Sequence, residues 1–169
     1  MSLPQMTHVF NLRVQAGGEL LNLGRQQFGL SRHITPVMGG FLRGIPGTRT
    51  EGLAANLLTG GSDSVSRDEV SNIIHLDVRT QAKTPTGECV YIQYTGHLAL
   101  DETARKFMSR DPDAGTTTFG DHDWWIAPRF EFSDPKYQWV ERTMFFGRGR
   151  FILEGDFRGV EYEIFAVQN

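Results

Sequence analysis

Hydrophobic and polar residues alternate with a period of two along most of the chain. In residues 8–14, Phe10, Leu12 and Val14 are separated by polar neighbours. Successive side chains of a strand point to opposite faces, so this pattern predicts a strand with one buried face. Segments rich in β-branched or aromatic residues predict further strands at 31–41, 73–80, 88–95, 124–132 and 157–167.

Glycine-rich segments separate or bend these predicted strands. Gly39 and Gly40 lie inside the second predicted strand, where glycine indicates a bulge or a close approach of another backbone. Residues 59–63 read as a turn, and residues 83–87 read as the connection of a hairpin.

Two short helices are predicted. Asp101 can cap the first, in which Ala104, Phe107 and Met108 have helical spacing. The sequence Ser-Asp-Pro at 133–135 starts the second, with proline in its first turn. We expect this second helix, which carries Trp139, to plug one end of the fold. Residues 109–122, between the two helices, read as a long polar loop.

Eight to ten short strands with at most two helices predict an all-β protein. We expect a single antiparallel β-barrel domain over residues 1–169. The twelve phenylalanines and the long loops favour a barrel wide enough to hold a small ligand.

The net charge and the cysteine content indicate which binding partners and which cellular compartment the sequence favours. The net charge is −3, so no basic excess is available for nucleic acid, and no apolar run is long enough to span a membrane. The N-terminus lacks the pattern of a signal peptide. Cys89 is the single cysteine, which favours a reducing compartment, and we expect a cytoplasmic location. A homo-oligomer is compatible with all of this.

No cofactor-binding motif is present, and the five histidines lack metal-ligand spacing, so we expect neither a cofactor nor a metal. Imidazole titrates near neutral pH, and His33 lies on a predicted strand just before the paired glycines. His33 is therefore the candidate general base, although a lone histidine on a strand is often a surface or packing residue.

His75, Asp77 and Arg79 share one face of a strand, and the apolar residues between them share the other. If the polar face is luminal, Arg79 can hold a carbonyl or phenolate oxygen and Asp77 can contact the ligand. If it faces outward, the two residues form an ion pair on the surface. The pattern leaves both alternatives open.

Aromatic residues supply the rest of the candidate site. Tyr94 shares an apolar face with Val90 and Ile92, where its hydroxyl either packs in the core or hydrogen-bonds an oxyanion. A flat aromatic ligand would stack well on a wall of such rings, and an aromatic core without a ligand is the alternative. The candidates for that wall are Phe41, Trp125, Phe130 and Phe132.

The order of several short motifs resembles the domain-of-unknown-function 3237 family. The first is the paired-glycine strand Pro-Val-Met-Gly-Gly-Phe-Leu-Arg-Gly at 36–44. The others lie at 58–63, 75–79, 86–96, 127–131, 137–139 and 146–149. The resemblance implies a single antiparallel β-barrel. It also implies a likeness to members from fungal secondary metabolism that are similar to a non-plant chalcone isomerase.

Two positions depart from the family pattern. Ser64 stands where the family has tryptophan, and Thr80 stands where it has an aromatic residue. These smaller residues either enlarge a pocket or reflect different local packing.

The leading hypothesis is a cofactor-independent isomerase or cyclase for a flat aromatic molecule of the chalcone, flavonoid or polyketide type. His33 would take the phenol proton, the phenolate oxygen would attack the enone β-carbon, and Arg79 and Tyr94 would stabilise the enolate. The alternative is a non-catalytic carrier of a hydrophobic ligand. A third hypothesis is a packed barrel that interacts through an open strand edge.

Overall fold

Ten strands form one antiparallel sheet in the computed structural model, which describes residues 3–168. The strands are β1 (Gln5–Ala16), β2 (Leu21–Arg25), β3 (Ser31–Gly44), β4 (Ala54–Leu57), β5 (Gly61–Asp68), β6 (Ile73–Lys83), β7 (Cys89–Ala99), β8 (Trp124–Phe132), β9 (Phe145–Glu154) and β10 (Phe157–Gln168). The α-helix α1 (Glu102–Ser109) follows β7, and a 3₁₀-helix, the plug helix (Pro135–Arg142), follows β8.

The sheet closes into a barrel with eight strand positions around its circumference. The order runs β1-β10-β9-β8-β7-β6 and then through β4 and β5, which lie one after the other between β6 and β3. Pairing of β3 with β1 completes the circle, and β2 adds to the edge of β3. The all-β barrel with two short helices is therefore confirmed.

Side chains alternate between the inside and the outside of the barrel. In β6, Ile74, Leu76 and Val78 are buried inside, whereas His75 and Arg79 are exposed outside. The apolar faces predicted from the period-two pattern are thus the luminal faces, because a closed barrel has one shielded side.

Aromatic rings fill the barrel at the end closed by the plug helix. The ring of Phe130 lies 5.0 Å from that of Phe10 and 5.3 Å from that of Phe145, between centroids. Phe132 contacts Tyr137 of the plug helix at 5.0 Å. Asp134 caps this helix by accepting a hydrogen bond from the Lys136 N–H. The expected plug at one end is present.

The connection between β7 and β8 lies at the opposite end. Asp101 caps α1 by accepting a hydrogen bond from the Ala104 N–H at 2.7 Å, as the sequence predicts. The loop from 110 to 123 is held to the barrel, because the buried His122 contacts Asp101 through Nδ1 at 2.6 Å and Thr117 through Nε2 at 3.1 Å.

The paired glycines mark a bulge in β3, as predicted. The pairing with β1 shifts by one residue between Gln15 and Ala16, opposite Met38. Gly40 has a φ of 127°, and a Cβ there would lie 2.0 Å from the Arg13 carbonyl oxygen. Only glycine fits this backbone. The turn predicted at 59–63 is shorter than expected, because β5 already begins at Gly61.

No helix within residues 3–168 has the length and apolar character needed to cross a membrane.

Candidate functional site

Asp63 lies on the inner wall, about halfway along the barrel. It is opposite Thr35 of β3 and Val78 of β6, and Val78 is in turn opposite Tyr94 of β7. Directly opposed residues in antiparallel strands point to the same face. Val78 and Tyr94 are 1% and 2% exposed in the core, so the Asp63 carboxyl also points inward.

Burial makes the Asp63 carboxyl an unusual acid. Loss of solvation raises its pKa to about 7. The Asp77 backbone N–H donates to Asp63 Oδ1 at 3.3 Å and lowers the pKa, while the negative charge of Asp77 raises it. The carboxyl therefore exchanges its proton near neutral pH, where a group can act as acid or base.

Two tyrosines share the interior with this carboxyl. Tyr94 and Tyr162 meet edge to face, with ring centroids 5.3 Å apart, and their hydroxyls approach each other. Burial raises the pKa of both hydroxyls, and the nearby Asp63 charge raises them further. Both hydroxyls therefore stay protonated at neutral pH and are able to donate hydrogen bonds.

Trp124 borders the tyrosine pair. Its ring meets Tyr162 edge to face, with centroids 5.4 Å apart. The buried indole N–H approaches the Tyr162 hydroxyl but makes no hydrogen bond of normal geometry within residues 3–168. A buried donor without a well-placed acceptor costs free energy, so a polar group of a ligand or a water would be favoured beside it.

Some inward-facing residues are partly exposed at the end of the barrel away from the plug helix. His33, Thr35 and Arg67 belong to the inner face, since they are opposite Val65, Asp63 and Ile74 respectively. All three are nevertheless partly exposed. Solvent therefore reaches inward-facing side chains at this end, which we call the mouth, and we call the half of the barrel below it the open half.

His33 lies on the same wall as Asp63. The pairs His33–Val65 and Thr35–Asp63 make His33 and Asp63 diagonal neighbours across two strands. Their Cβ atoms are about 7 Å apart in such an arrangement, close enough for one small ligand to touch both side chains.

Arg79 and Asp77 lie on the outer face, which corrects their assignment to a luminal site. The Arg79 side chain is 56% exposed, and its Nη1 lies 3.3 Å from Asp77 Oδ1. Their strand alternates, and its apolar face takes the lumen. The surface ion pair, the second of the two alternatives, is the one that forms.

Phe41 and Trp125 are also outside and cannot line a luminal wall. Phe41 is opposite Arg13 and lies under the guanidinium groups of Arg13 and Arg43, at 5.4 and 4.9 Å. Trp125 is exposed, and its indole N–H donates to Asp123 Oδ1 at 3.0 Å. The neighbouring residues of these two strands face the core. Because successive side chains alternate between the two faces of a strand, Phe41 and Trp125 point outward.

Phe130 and Phe132 face inward but belong to the filled half of the barrel. Both are buried by neighbouring rings rather than lining an empty space. Their rings close the lumen on the side of the plug helix, below Tyr94 and Asp63. Of the predicted site, the structure therefore brings His33 and Tyr94 to the open half and leaves the other residues outside it or beneath it.

Asp63 and Tyr162 were not identified from the sequence. Residues 61–68 hold only one apolar side chain that points inward, so the segment lacks the alternation of a half-buried strand. The family turn motif at 58–63 ends on Asp63 and is the one signal that could have found it. Tyr162 lies in a correctly predicted strand, but nothing in its neighbours indicates that it meets Tyr94.

The two departures from the family pattern lie on different faces. Ser64 is next to the inward Asp63, so its side chain points outward and has no effect on the lumen. Thr80 is fully buried and closely approaches Gly61, where an added Cβ would lie 2.6 Å from the threonine Oγ1. At position 80 the smaller side chain reflects tight local packing.

Grooves also occur outside the barrel, around the plug helix. One of about 480 Å³ is open to solvent and includes Arg49, Trp139 and Arg142 in its lining. A second, of about 230 Å³, includes Val9, Arg49 and Trp139. Arg49 lies over the Trp139 ring at 4.5 Å between both grooves. Neither groove reaches Asp63 or Tyr94.

Within residues 3–168, no three His, Cys, Asp or Glu side chains converge to hold a metal ion.

Comparison with known proteins places this barrel in a family. The family model described as protein of unknown function (DUF3237) matches residues 4–167. The chain belongs to the DUF3237 family. A UPF0311 protein of Rhodopseudomonas palustris is 28% identical over 143 residues, which cover 83% of this chain and 84% of that protein.

Solved structures share the fold of this DUF3237 chain. The crystal structure of a conserved protein of unknown function from Rhodopseudomonas palustris matches with a TM-score of 0.79 and 22% identity, over 99% of this chain and 100% of the other. A β-barrel-like protein from Acinetobacter baumannii matches with a TM-score of 0.73 and 22% identity, over 99% and 98%. An enzyme from Penicillium herquei matches with a TM-score of 0.64 and 14% identity, over 99% and 97%.

Proposed function

We propose that this DUF3237 barrel binds a flat, phenolic small molecule in its open half and closes a ring in it without a cofactor. The observation that carries the proposal is the placement of Asp63. This carboxyl points into the lumen beside Tyr94 and Tyr162, on the same wall as the partly exposed His33. A buried carboxyl that titrates near neutrality, together with two protonated hydroxyls, forms an acid–base site.

The proposed reaction is an intramolecular oxa-Michael addition. His33 takes the proton of the phenol, and the phenolate oxygen forms a bond to the β-carbon of the enone. The electrons of the carbon–carbon double bond move to the carbonyl oxygen, which becomes an enolate. The enolate then takes a proton at the α-carbon. The product is an isomer of the substrate, so no other reactant is consumed.

Each luminal group has a role in this scheme. The Tyr94 hydroxyl donates a hydrogen bond to the enolate oxygen, and it can do so because its raised pKa keeps it protonated. Asp63, protonated at the start, supplies the proton for the α-carbon and recovers one from His33. The narrow lumen restricts the substrate to conformers in which the ring can close.

The fold supports a small-molecule site of this size. A barrel with eight strand positions has an interior that side chains can fill or that can hold one small ligand. Here rings pack together at the plug end, whereas the other half also holds the polar side chains of His33, Thr35 and Asp63, all partly exposed. The similar Penicillium herquei protein is described as an enzyme, and the likeness to it is one of fold.

A non-catalytic carrier is the second candidate function. The mouth has an apolar wall opposite the polar one, since Val14 and Val160 pair on the inner face of β1 and β10. Such a wall would hold a hydrophobic ligand whether or not chemistry followed. The carrier and the enzyme share the same lumen and differ only in turnover.

The test uses 2′-hydroxychalcone, a phenolic enone. Its ring closure is measured as the decrease of its long-wavelength absorbance, because the conjugated enone is lost. We expect the wild type to convert it faster than buffer does. Asp63→Asn and His33→Gln should each slow turnover by roughly two orders of magnitude or more, with binding retained. Glu131→Gln is the matched control, because it removes an exposed carboxylate from the outer face of β8.

The outcomes separate the candidates. Binding without turnover by the wild type would favour the carrier, and the absence of both would overturn the proposal. Full turnover in Asp63→Asn would remove that residue from the mechanism. Circular dichroism spectra of each variant show whether a loss comes from unfolding.

A cytoplasmic location is part of the same proposal. Cys89 is exposed and unpaired, and it is the one cysteine of the sequence, so the fold requires no oxidising environment.

A further inference from the structure

Two arginines lie on the inner face near the mouth of the barrel. Arg67 lies near the end of β5 and is opposite the buried Ile74, so its side chain starts on the inner face. Arg158 lies near the start of β10, two residues from the inward Val160. Two strands, β3 and β1, lie between β5 and β10, so the two residues belong to different walls of the barrel.

Neither guanidinium group has an anionic partner among the described residues. Within residues 3–168, no carboxylate oxygen lies within 4.0 Å of Arg67 or Arg158. Arg67 Nε and Arg158 Nη2 are buried without a hydrogen-bond acceptor in this part of the chain. By contrast, Arg13, Arg148 and Arg150 on the outer face are all paired with glutamates.

The surroundings of Arg158 hold it in place while leaving its charge unneutralised. Its guanidinium lies 4.1 Å over the ring of Phe107, in α1. Burial, and secondarily the positive charge of Arg110, lower its pKa. The side chain is therefore fixed by an aromatic face, and its local field attracts a negative charge.

Other charged groups face the same lumen. His33 lies on the wall between Arg67 and Asp63, and Asp63 is four residues from Arg67 along β5. Four residues of a strand span about 13 Å, so the Asp63 carboxyl does not neutralise Arg67. The lumen thus carries its positive charge at the mouth and its carboxyl at the floor.

We propose that Arg67 and Arg158 form an anion site at the mouth, and that the ligand of this barrel is an aromatic molecule bearing a carboxylate. The inference rests on the proposed function, since it concerns the ligand of the same lumen. An arginine binds a carboxylate through two parallel N–H donors, which would satisfy the buried nitrogens. The aromatic part of the ligand would then extend down towards Tyr94 and Asp63.

The experiment compares 4-hydroxycinnamate with its methyl ester by isothermal titration calorimetry at pH 6. At this pH Asp63 is mostly protonated and does not repel the acid, because its pKa is about 7. We expect the wild type to bind the acid at least roughly tenfold more tightly than the ester, since hydrogen bonds to charged groups are the stronger ones. The preference should weaken in high salt.

Variants locate the site. Arg67→Gln and Arg158→Gln should each remove most of the preference for the acid, and Arg67→Lys should keep part of it. Arg129→Gln is the matched control, because Arg129 is exposed on the outer face of β8. If a glutamine variant does not fold, the acid–ester comparison on the wild type and the lysine variant still tests the inference.

The outcomes distinguish this inference from the proposed function. Equal binding of acid and ester would overturn the anion site and leave the luminal pocket standing. A preference that survives in both glutamine variants would also overturn it. Binding of neither probe, together with no binding of 2′-hydroxychalcone, would count against the proposed function itself.

Discussion

At the scale of single residues, Asp63 is the position where the barrel departs most from a purely apolar interior. Within residues 3–168, its carboxyl receives one backbone hydrogen bond, from Asp77, and has no cation beside it. Burial therefore favours the neutral acid. Such a group is costly to the folded state once it is ionised, and this cost can be measured.

We predict that the stability of the protein falls as pH rises from about 4 to about 7. Asp63 has a pKa of about 7 when folded and 3.8 as its ordinary value, so the folded chain holds one more proton in this window. The contribution is complete below the lower pKa and lost above the upper one. At 1.36 kcal/mol per pKa unit it amounts to at most about 4 kcal/mol.

Urea unfolding of wild type and Asp63→Asn at several pH values isolates this contribution. The free energy of unfolding of the variant, relative to wild type, should increase between pH 4 and pH 8, because asparagine has no ionisation cost. Glu131→Gln controls for loss of an outer carboxylate, because Glu131 is exposed on β8. A difference between Asp63→Asn and wild type that stays constant with pH would show that Asp63 titrates normally.

At the scale of elements, β3 is the strand that the closure of the barrel depends on. It pairs with β1, β2, β4 and β5, and its bulge opposite Ala16 separates the part that pairs with β1 from the part that pairs with β2. Gly40 lies at this bulge with a positive φ and with the Arg13 carbonyl against it. The same bend turns the upper part of β3, with His33, along the mouth.

Gly40→Ala should destabilise the barrel by about 3 kcal/mol or more, since it adds backbone strain to a collision with a strand. Gly39→Ala is the matched control. Its Cβ would make an ordinary contact at 3.7 Å, and its φ is not in the left-handed region, so we expect a change of about 1 kcal/mol or less. Chemical denaturation measures both, and similar losses for the two would contradict the role of the bulge.

At the scale of the whole molecule, the barrel has a filled half and an open half. The plug helix and the ring cluster around Phe10 close one end. At the other end β2 is an edge strand that, among the described residues, pairs with β3 alone. The hairpin it forms leaves Leu23 and Phe28 exposed, the latter at 69%. Local stability should therefore decrease from the plug towards the mouth.

Hydrogen exchange followed by mass spectrometry should show this gradient. We expect amides of Leu21–Arg25 to exchange much faster than those of Phe157–Gln168, a strand paired on both sides. Uniform protection at low protein concentration would contradict the prediction. Protection of β2 that increases with concentration, with a matching mass from light scattering, would instead support pairing of two copies through this edge.

The sequence by itself determined six of the ten strands and both helices, but not β2, β4, β5 or β9. Alternation identified β1, because a half-buried strand must separate apolar from polar residues. Their β-branched and aromatic residues identified β3, β6 to β8 and β10. Asp101 and Pro135 marked the helices through local capping chemistry, and the paired glycines marked the bulge. Each of these signals is local, so neighbouring residues suffice to read it.

Tertiary structure alone decided the site. Whether Arg79 or Val78 faces the lumen depends on how the sheet closes, and the strand pattern is the same for both choices. Tyr94 and Tyr162 are far apart in the chain and meet only across the barrel. Asp63 lies on a polar strand whose burial comes from its neighbours rather than its own sequence. Long-range closure sets these contacts, and local patterns carry no information about it.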